Sequence, residues 1–234
     1  MSPLKTPAVS VIIPVLGEAH QLDSLIDHLF QIADGKPVEL IVVDGSPDGE
    51  SIKAISRQGV TLLTAPAGRA RQMNAGAAAA RGAYLLFLHA DTLLPPGAFR
   101  RIEETLSEGD CVAGAFDLRY SSERPSMRFI ARVACLRSRL TQIPYGDQAQ
   151  FFRRDYFEKL CGFADIPLME DVEIMHRIKD RGDRISILPE AVVTSARRHE
   201  KEGILYCTLR NWTIITLYLL GMSPERLAHF YKKH

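Results

Sequence analysis

No two of the four cysteines, Cys111, Cys135, Cys161 and Cys207, form a C-x-x-C, so the chain offers neither a zinc knuckle nor a disulfide framework. They read as reduced thiols of a cytoplasmic protein. There is no G-x-x-x-x-G-K-[ST] and no G-x-G-x-x-G, which removes the Walker phosphate loop and the dinucleotide fingerprint. No clean membrane span is present either. The apolar stretch 204–220 is marginal in length and is interrupted by Arg210 and Asn211, which favours a helix packed on the domain or on a second subunit. The N-terminus lacks a signal-peptide layout, because strand-like residues start at Val9 and stop at Pro14. Charge of one sign is also missing. A net charge of +1 argues against nucleic-acid binding. Lysine is scarce beside arginine, the residue suited to bidentate phosphate and carboxylate contacts.

What is present suits one α/β domain. The chain has 234 residues, and its apolar fraction of 46% is enough for a full core. The segment 83–91, AYLLFLHAD, reads as a buried parallel strand ending in His89-Ala90-Asp91 and a Pro-Pro-Gly loop. Ligands of open α/β sheets sit outside such carboxyl ends. His89 and Asp91, two apart on an extended segment, point the same way and can share one cation, or a cation and a sugar hydroxyl. A strand-end turn capped by Asp91 is the plain alternative.

Three more strands precede this one: 9–13, 38–43 and 60–63. Leu22, Leu25, Ile26, Leu29 and Phe30 recur at helical spacing after the first. The second ends in Asp44-Gly45-Ser46-Pro47-Asp48-Gly49, where Asp44 either contacts a nucleotide or caps a helix starting near Pro47. After the third, Gly68-Arg69-Ala70-Arg71 opens an Ala-rich helix. Free backbone N–H groups, the helix dipole and two guanidinium groups there suit a phosphate, and the small face allows close packing on the sheet.

VSVIIPVLGE, IVVDGSPDGE, GRARQMNAGAAAARG and LLFLHADT, in this order and spacing over residues 8 to about 95, resemble the nucleotide-binding half of family-2 glycosyltransferases of the GT-A fold. The likeness continues more loosely to about 200. The resemblance implies a nucleotide-diphospho-sugar donor, a divalent cation (Mn²⁺ or Mg²⁺) and transfer with inversion. It implies a mixed, mostly parallel sheet with helices on both faces and a helical C-terminal extension. Within one domain, 1–234, it implies a donor half (8–95), an acceptor and catalytic half (96–202) and an extension (203–234). Pro14, Val15 and Glu18 would line the base and ribose, and Asp44 would hold the base. Arg69, Arg71 and Asn74 would lie near the donor. His89-Ala90-Asp91 would fill the D-x-D place, with Asp91 as the metal ligand. His89 replaces the first Asp there, so the protein alone should bind a cation weakly.

In the second half, 111–120 reads as a strand and 126–140 as a helix with Arg128, Arg132 and Arg139 on one side and Arg124 and Arg137 near. That face is either simply solvated or a surface for a lipid phosphate or a membrane. Gly146-Asp147-Gln148 precedes a strand at 149–153. Gln148 either binds the donor or shapes a turn. Glu170-Asp171 opens the helix running to about Arg181. Capping explains the pair by itself. The resemblance makes Asp171 the general base, because an acceptor hydroxyl must lose its proton as it attacks. Short strands at 185–188 and 191–194 lead to Ser195-Ala196-Arg197-Arg198-His199, a mobile loop in this reading. There Arg197 or Arg198 would meet the diphosphate and His199 is a candidate metal ligand. The acceptor, lipid-linked or not, is open, and the protein would work in the cytoplasm, with the inner membrane face a candidate site. Two rivals remain. A sugar nucleotidyltransferase would need a G-x-G-[TS]-R loop where PVLGE stands. A nucleotide-sugar-binding protein without turnover is kept in view by His89.

Overall fold

The computed structural model describes residues 7–17, 19–107 and 110–231. Four parallel strands, β1 (Val9–Val15), β2 (Val38–Asp44), β3 (Val60–Thr64) and β4 (Tyr84–Phe87), are joined by α1 (Ala19–Ala33), α2 (Glu50–Lys53) and α3 (Arg69–Ala79). The chain continues through β5 (Thr92–Leu93), α4 (Ala98–Ser107), β6 (Cys111–Tyr120) and α5 (Pro125–Thr141). A 3-10 turn (Gly146–Gln148), β7 (Phe151–Arg153), α6 (Arg154–Lys159), α7 (Glu170–Asp180) and β8 (Arg184–Thr194) follow. It closes with α8 (Arg197–Glu202), α9 (Ile204–Leu219) and α10 (Pro224–Tyr231). The strands form one eight-stranded sheet in the order β3-β2-β1-β4-β7-β6-β8-β5. β7 is antiparallel to both β4 and β6, while β8 is parallel to β6.

The apolar runs make this sheet because both of its faces are covered. Val9, Val11 and Ile13 of β1 face a core shared with α1 and α4, while Ile12 faces a second core under α3 and α7. The second core holds four mutually packed rings, Phe87, Phe152, Phe157 and Phe163. Edge-to-face contacts of this kind add to plain burial. The small face of α3 does bring it close to the sheet. A Cβ on Gly76 would lie 2.5 Å from Cγ2 of Ile12.

Several elements differ from the sequence reading. The two short strands expected at 185–188 and 191–194 are one strand, β8. Pro189 and Glu190 bulge out between Leu188, which pairs with Phe116, and Ala191, which pairs with Asp117. Proline has no N–H for the ladder, so the break in the pattern marks a bulge and not a chain end. The strand expected from 149 starts at Phe151, because Ala149 is left-handed (φ 50°) after the 3-10 turn. The helix expected near Pro47 is one turn beginning at Glu50. Residues 197–202, expected as a mobile loop, are helical.

Candidate functional site

The carboxyl end of β4 and the start of β7 meet because the two strands run in opposite directions. Phe87 donates its N–H to the Gln150 carbonyl at 2.9 Å. His89, two residues past β4, is thereby set against Gly146, just ahead of β7. A Cβ on Gly146 would lie 3.3 Å from His89 Nε2 and 3.2 Å from Asp171 Oδ2. The Gly146 N–H donates to Asp171 Oδ2 at 2.6 Å, and the Val172 N–H donates to Oδ1 at 2.9 Å. Asp171 stands in the first turn of α7, where the helix dipole favours a carboxylate. So the His89 imidazole and the Asp171 carboxylate flank a backbone that has no side chain of its own.

Two further acids crowd this place. Burial, and then the charge of Asp171, push the Asp147 carboxyl up to about 6; Arg137 and Arg69 act against the rise. The same causes push Glu170 up to about 7, opposed by Arg69. Arg69 and Glu170 form an ion pair at 3.6 Å, and Glu170 Oε1 has no hydrogen bond. Burial lowers His89 to about 3, helped by Arg69 and Arg198, so its imidazole is neutral. The Arg137 guanidinium lies 3.3 Å over the Tyr145 ring and faces Asp147 from α5. Asp91 Oδ1 takes a long 3.5 Å contact from the Thr92 hydroxyl, and the Asp91 carbonyl accepts the Ser195 N–H, which brings the start of α8 alongside.

The remaining residues singled out in the sequence fall into two groups. Arg69, Arg198, His89, Ala90 and Asp91 gather around this centre. Others are held by the protein itself. Asp44 is fully buried, and its carboxylate accepts from Ser46 N and Oγ, Ser51 N and Ile52 N. Burial works to raise it, but these bonds outweigh burial and hold it below the usual range. Asn74 clamps both backbone groups of Phe163. Arg71 pairs with Asp165 at 2.7 Å. Gln148 is fully buried, with its amide on Phe116 O, Ser138 Oγ and Tyr145 N. His199 is buried edge-on to Tyr120. Arg197 is exposed. Pro14 and Val15 end β1 beside the loop after β2, and Glu18 lies outside the described residues.

Sequence reasoning passed over three residues. Asp147 and Gly146 matter through their neighbours, which no local pattern shows. Gln72, buried in α3, donates its Nε2 to Val15 O at 2.7 Å and Val43 O at 2.9 Å and so joins the ends of β1 and β2. Its only signal was a polar residue at an inward helical position.

Residues 10–161 match the family described as Glycosyl transferase family 2. The chain belongs to glycosyl transferase family 2. A Bacillus subtilis (strain 168) member named Uncharacterized glycosyltransferase EpsJ is 25% identical over 209 residues, which is 80% of this chain and 60% of that protein. Among solved structures, S. aureus TarS 1-349 in complex with UDP-GlcNAc superposes with a TM-score of 0.62 at 18% identity, covering 80% of this chain and 58% of that one. The UDP complex of the same protein gives 0.64 at 17%, covering 80% and 60%. These structures share the GT-A-type fold with this chain. The chain therefore spans about 60% of the length of the relatives it matches.

Members of this family commonly use a divalent cation. Among the described residues no group of three His, Cys, Asp or Glu side chains is placed to hold one. Asp91, with its carboxylate outside any ion pair among the described residues, and His89, neutral, are the donors at the D-x-D place. His199 is turned into the contact with Tyr120 instead. One carboxylate and one imidazole fit a cation that takes the rest of its shell from a bound diphosphate.

Proposed function

We propose that this family-2 chain transfers a sugar, with inversion, from a nucleotide-diphospho-sugar to an acceptor hydroxyl, and that Asp171 is the general base. The observation carrying the reading is Asp171 at the start of α7, fixed by Gly146 N–H and facing His89 at the carboxyl end of β4. In this reading Asp171 accepts the acceptor's proton as its oxygen bonds to the anomeric carbon. The bond from that carbon to the diphosphate breaks, and the nucleoside diphosphate leaves. Arg69, Arg198 and the N-terminus of α3 meet the charge that develops. Asp91 would hold Mn²⁺ or Mg²⁺, which when bound supplies further positive charge to the diphosphate. Glu170 and Asp147 set the field in which Asp171 works. The division into donor half, acceptor half and C-terminal extension belongs to the same proposal. The four free thiols support a reducing compartment, the cytoplasm.

The TarS complexes carry UDP and UDP-GlcNAc, and their likeness in fold makes a uridine donor the first to try. The test is a thermal-shift panel of UDP, GDP, CDP and dTDP sugars with Mn²⁺, followed by release of nucleoside diphosphate from the donor that binds. Asp171→Asn should keep the shift and lower release by roughly 10²- to 10⁴-fold. Full release by this variant would remove Asp171 from its role. Binding without any release by the unaltered protein would favour the rival reading, a donor-binding protein without turnover, which His89 at the D-x-D place keeps in view.

A further inference from the structure

We propose that α5 lays its outer face on an anionic lipid bilayer. The helix carries Arg128, Arg132, Arg137 and Arg139 and no Asp or Glu. The sequence alone allows a plain solvated face, but the structure divides these arginines. Arg137 turns inward over Tyr145, and Arg139 pairs with Asp117 at 2.8 Å. Met127, Ala131 and Ser138 are buried. What α5 leaves outside is Phe129, Leu136 and Leu140, exposed by 67%, 58% and 75%, with Arg128 and Arg132 beside them. Residues 129, 136 and 140 fall on one side of a helix. Three large apolar side chains flanked on one side by arginines are the layout of a helix lying in a membrane interface, not of a solvated one.

Charge decides the occupant. Glu123 pairs with Arg128 at the start of α5, but Arg119, Arg124 and Arg132 leave this face net cationic, so it is attracted to anionic headgroups and repels a second copy of itself. Arg119 of β6 and Arg132 have no hydrogen bond or ion pair among the described residues. Both line a groove of about 760 Å³ between α5 and β6. Its two carboxylates, Asp117 and Glu123, are paired with Arg139 and Arg128, so Arg119 and Arg132 remain to take a lipid phosphate beneath the helix. The other exposed apolar face, on α9 with Leu205, Leu209 and Trp212, lacks this bias. Arg210 of that helix is tied to Glu202, and α8 before it mixes acids with bases. Because Arg137 of the same helix faces Asp147, docking α5 would hold the site over lipid-borne acceptors. That consequence rests on the transfer reading, whereas vesicle binding does not.

The experiment is flotation of the full chain with phosphatidylcholine vesicles, with and without phosphatidylglycerol, at low and high salt. The chain should float only with phosphatidylglycerol and be released by salt. Arg128→Gln and Arg132→Gln should each weaken partitioning roughly fivefold. Phe129→Ser with Leu140→Ser should abolish it, while Leu205→Ser with Trp212→Ser should leave it intact. All of these positions are exposed or half-exposed, and an unchanged melting temperature checks that each variant folds. No flotation at low salt would overturn the proposal. So would loss confined to the α9 variant, or a dimer in sizing that Phe129→Ser dissolves, since either result gives the face another role.

Discussion

The Gly146 N–H donates to Asp171 Oδ2 at 2.6 Å, and the space where Gly146 would carry a Cβ is bounded by that oxygen and by His89 Nε2. The bond aims the carboxylate, and the missing methyl keeps a slot open beside it. Gly146 has no positive φ, so alanine there meets no backbone strain. Gly146→Ala should therefore fold normally. Its methyl, 3.2 and 3.3 Å from the two groups, should displace both and lower turnover roughly tenfold to a hundredfold. Steady-state rates beside a melting curve check this; an unimpaired rate would show that the slot is not used.

The raised carboxyls make a statement about pH. Glu170 has a folded value of about 7 against an ordinary 4.5, so the folded state holds a proton that the unfolded chain releases. Its stabilising share is fully present below about 4.5 and is lost as pH rises through about 7. Glu170→Gln stays neutral throughout. The variant should gain stability relative to the unaltered, nucleotide-free protein as pH climbs across that window. Denaturant unfolding of both proteins at several pH values measures the difference, and a flat difference would contradict the assignment.

Metal and donor should act together. With one carboxylate and a neutral imidazole at the D-x-D place, Mn²⁺ alone should shift the melting temperature little. Mn²⁺ with the correct nucleoside diphosphate should shift it clearly, since a ligand at about 100 times its Kd adds roughly 2.7 kcal/mol. Asp91→Ala should cancel the metal-dependent part, as should a chelator. A full shift from Mn²⁺ alone would mean a stronger site than these residues provide.

Gln72 should matter to stability more than to chemistry. Its amide serves the Val15 and Val43 carbonyls at the two strand ends. Gln72→Ala removes a donor from both and should cost about 1–3 kcal/mol. Denaturant unfolding reads this directly.

The first half, through β4, was legible because its signals are local. Apolar runs such as those of β1 and β2 show a buried parallel strand without help from distant residues, and Gly68-Arg69 marks a helix start by itself. The second half was less so. Pro189 split β8 on paper, although the bulge keeps it whole in space. Asp44, Asn74 and Gln148 carry the residue types of a ligand site, yet each is held by backbone or side-chain partners that pattern reading does not reveal. Asp147 went the other way. Its neighbours Asp171, Arg137 and Arg69 lie far from it in sequence, and they, together with burial, give the carboxyl its character.

The reversed direction of β7 has a last consequence. Because that strand enters where β4 leaves, residues 146–150 ahead of it reach the carboxyl end of β4, while the chain from 120 to 145 stands outside the β1–β4 unit. In the proposed reading, sequence drift in this segment would reshape what is presented for glycosylation without touching β1–β4, the strands assigned to the donor. Exchanging it between relatives should therefore transplant acceptor choice as a cassette, leaving donor choice with the recipient.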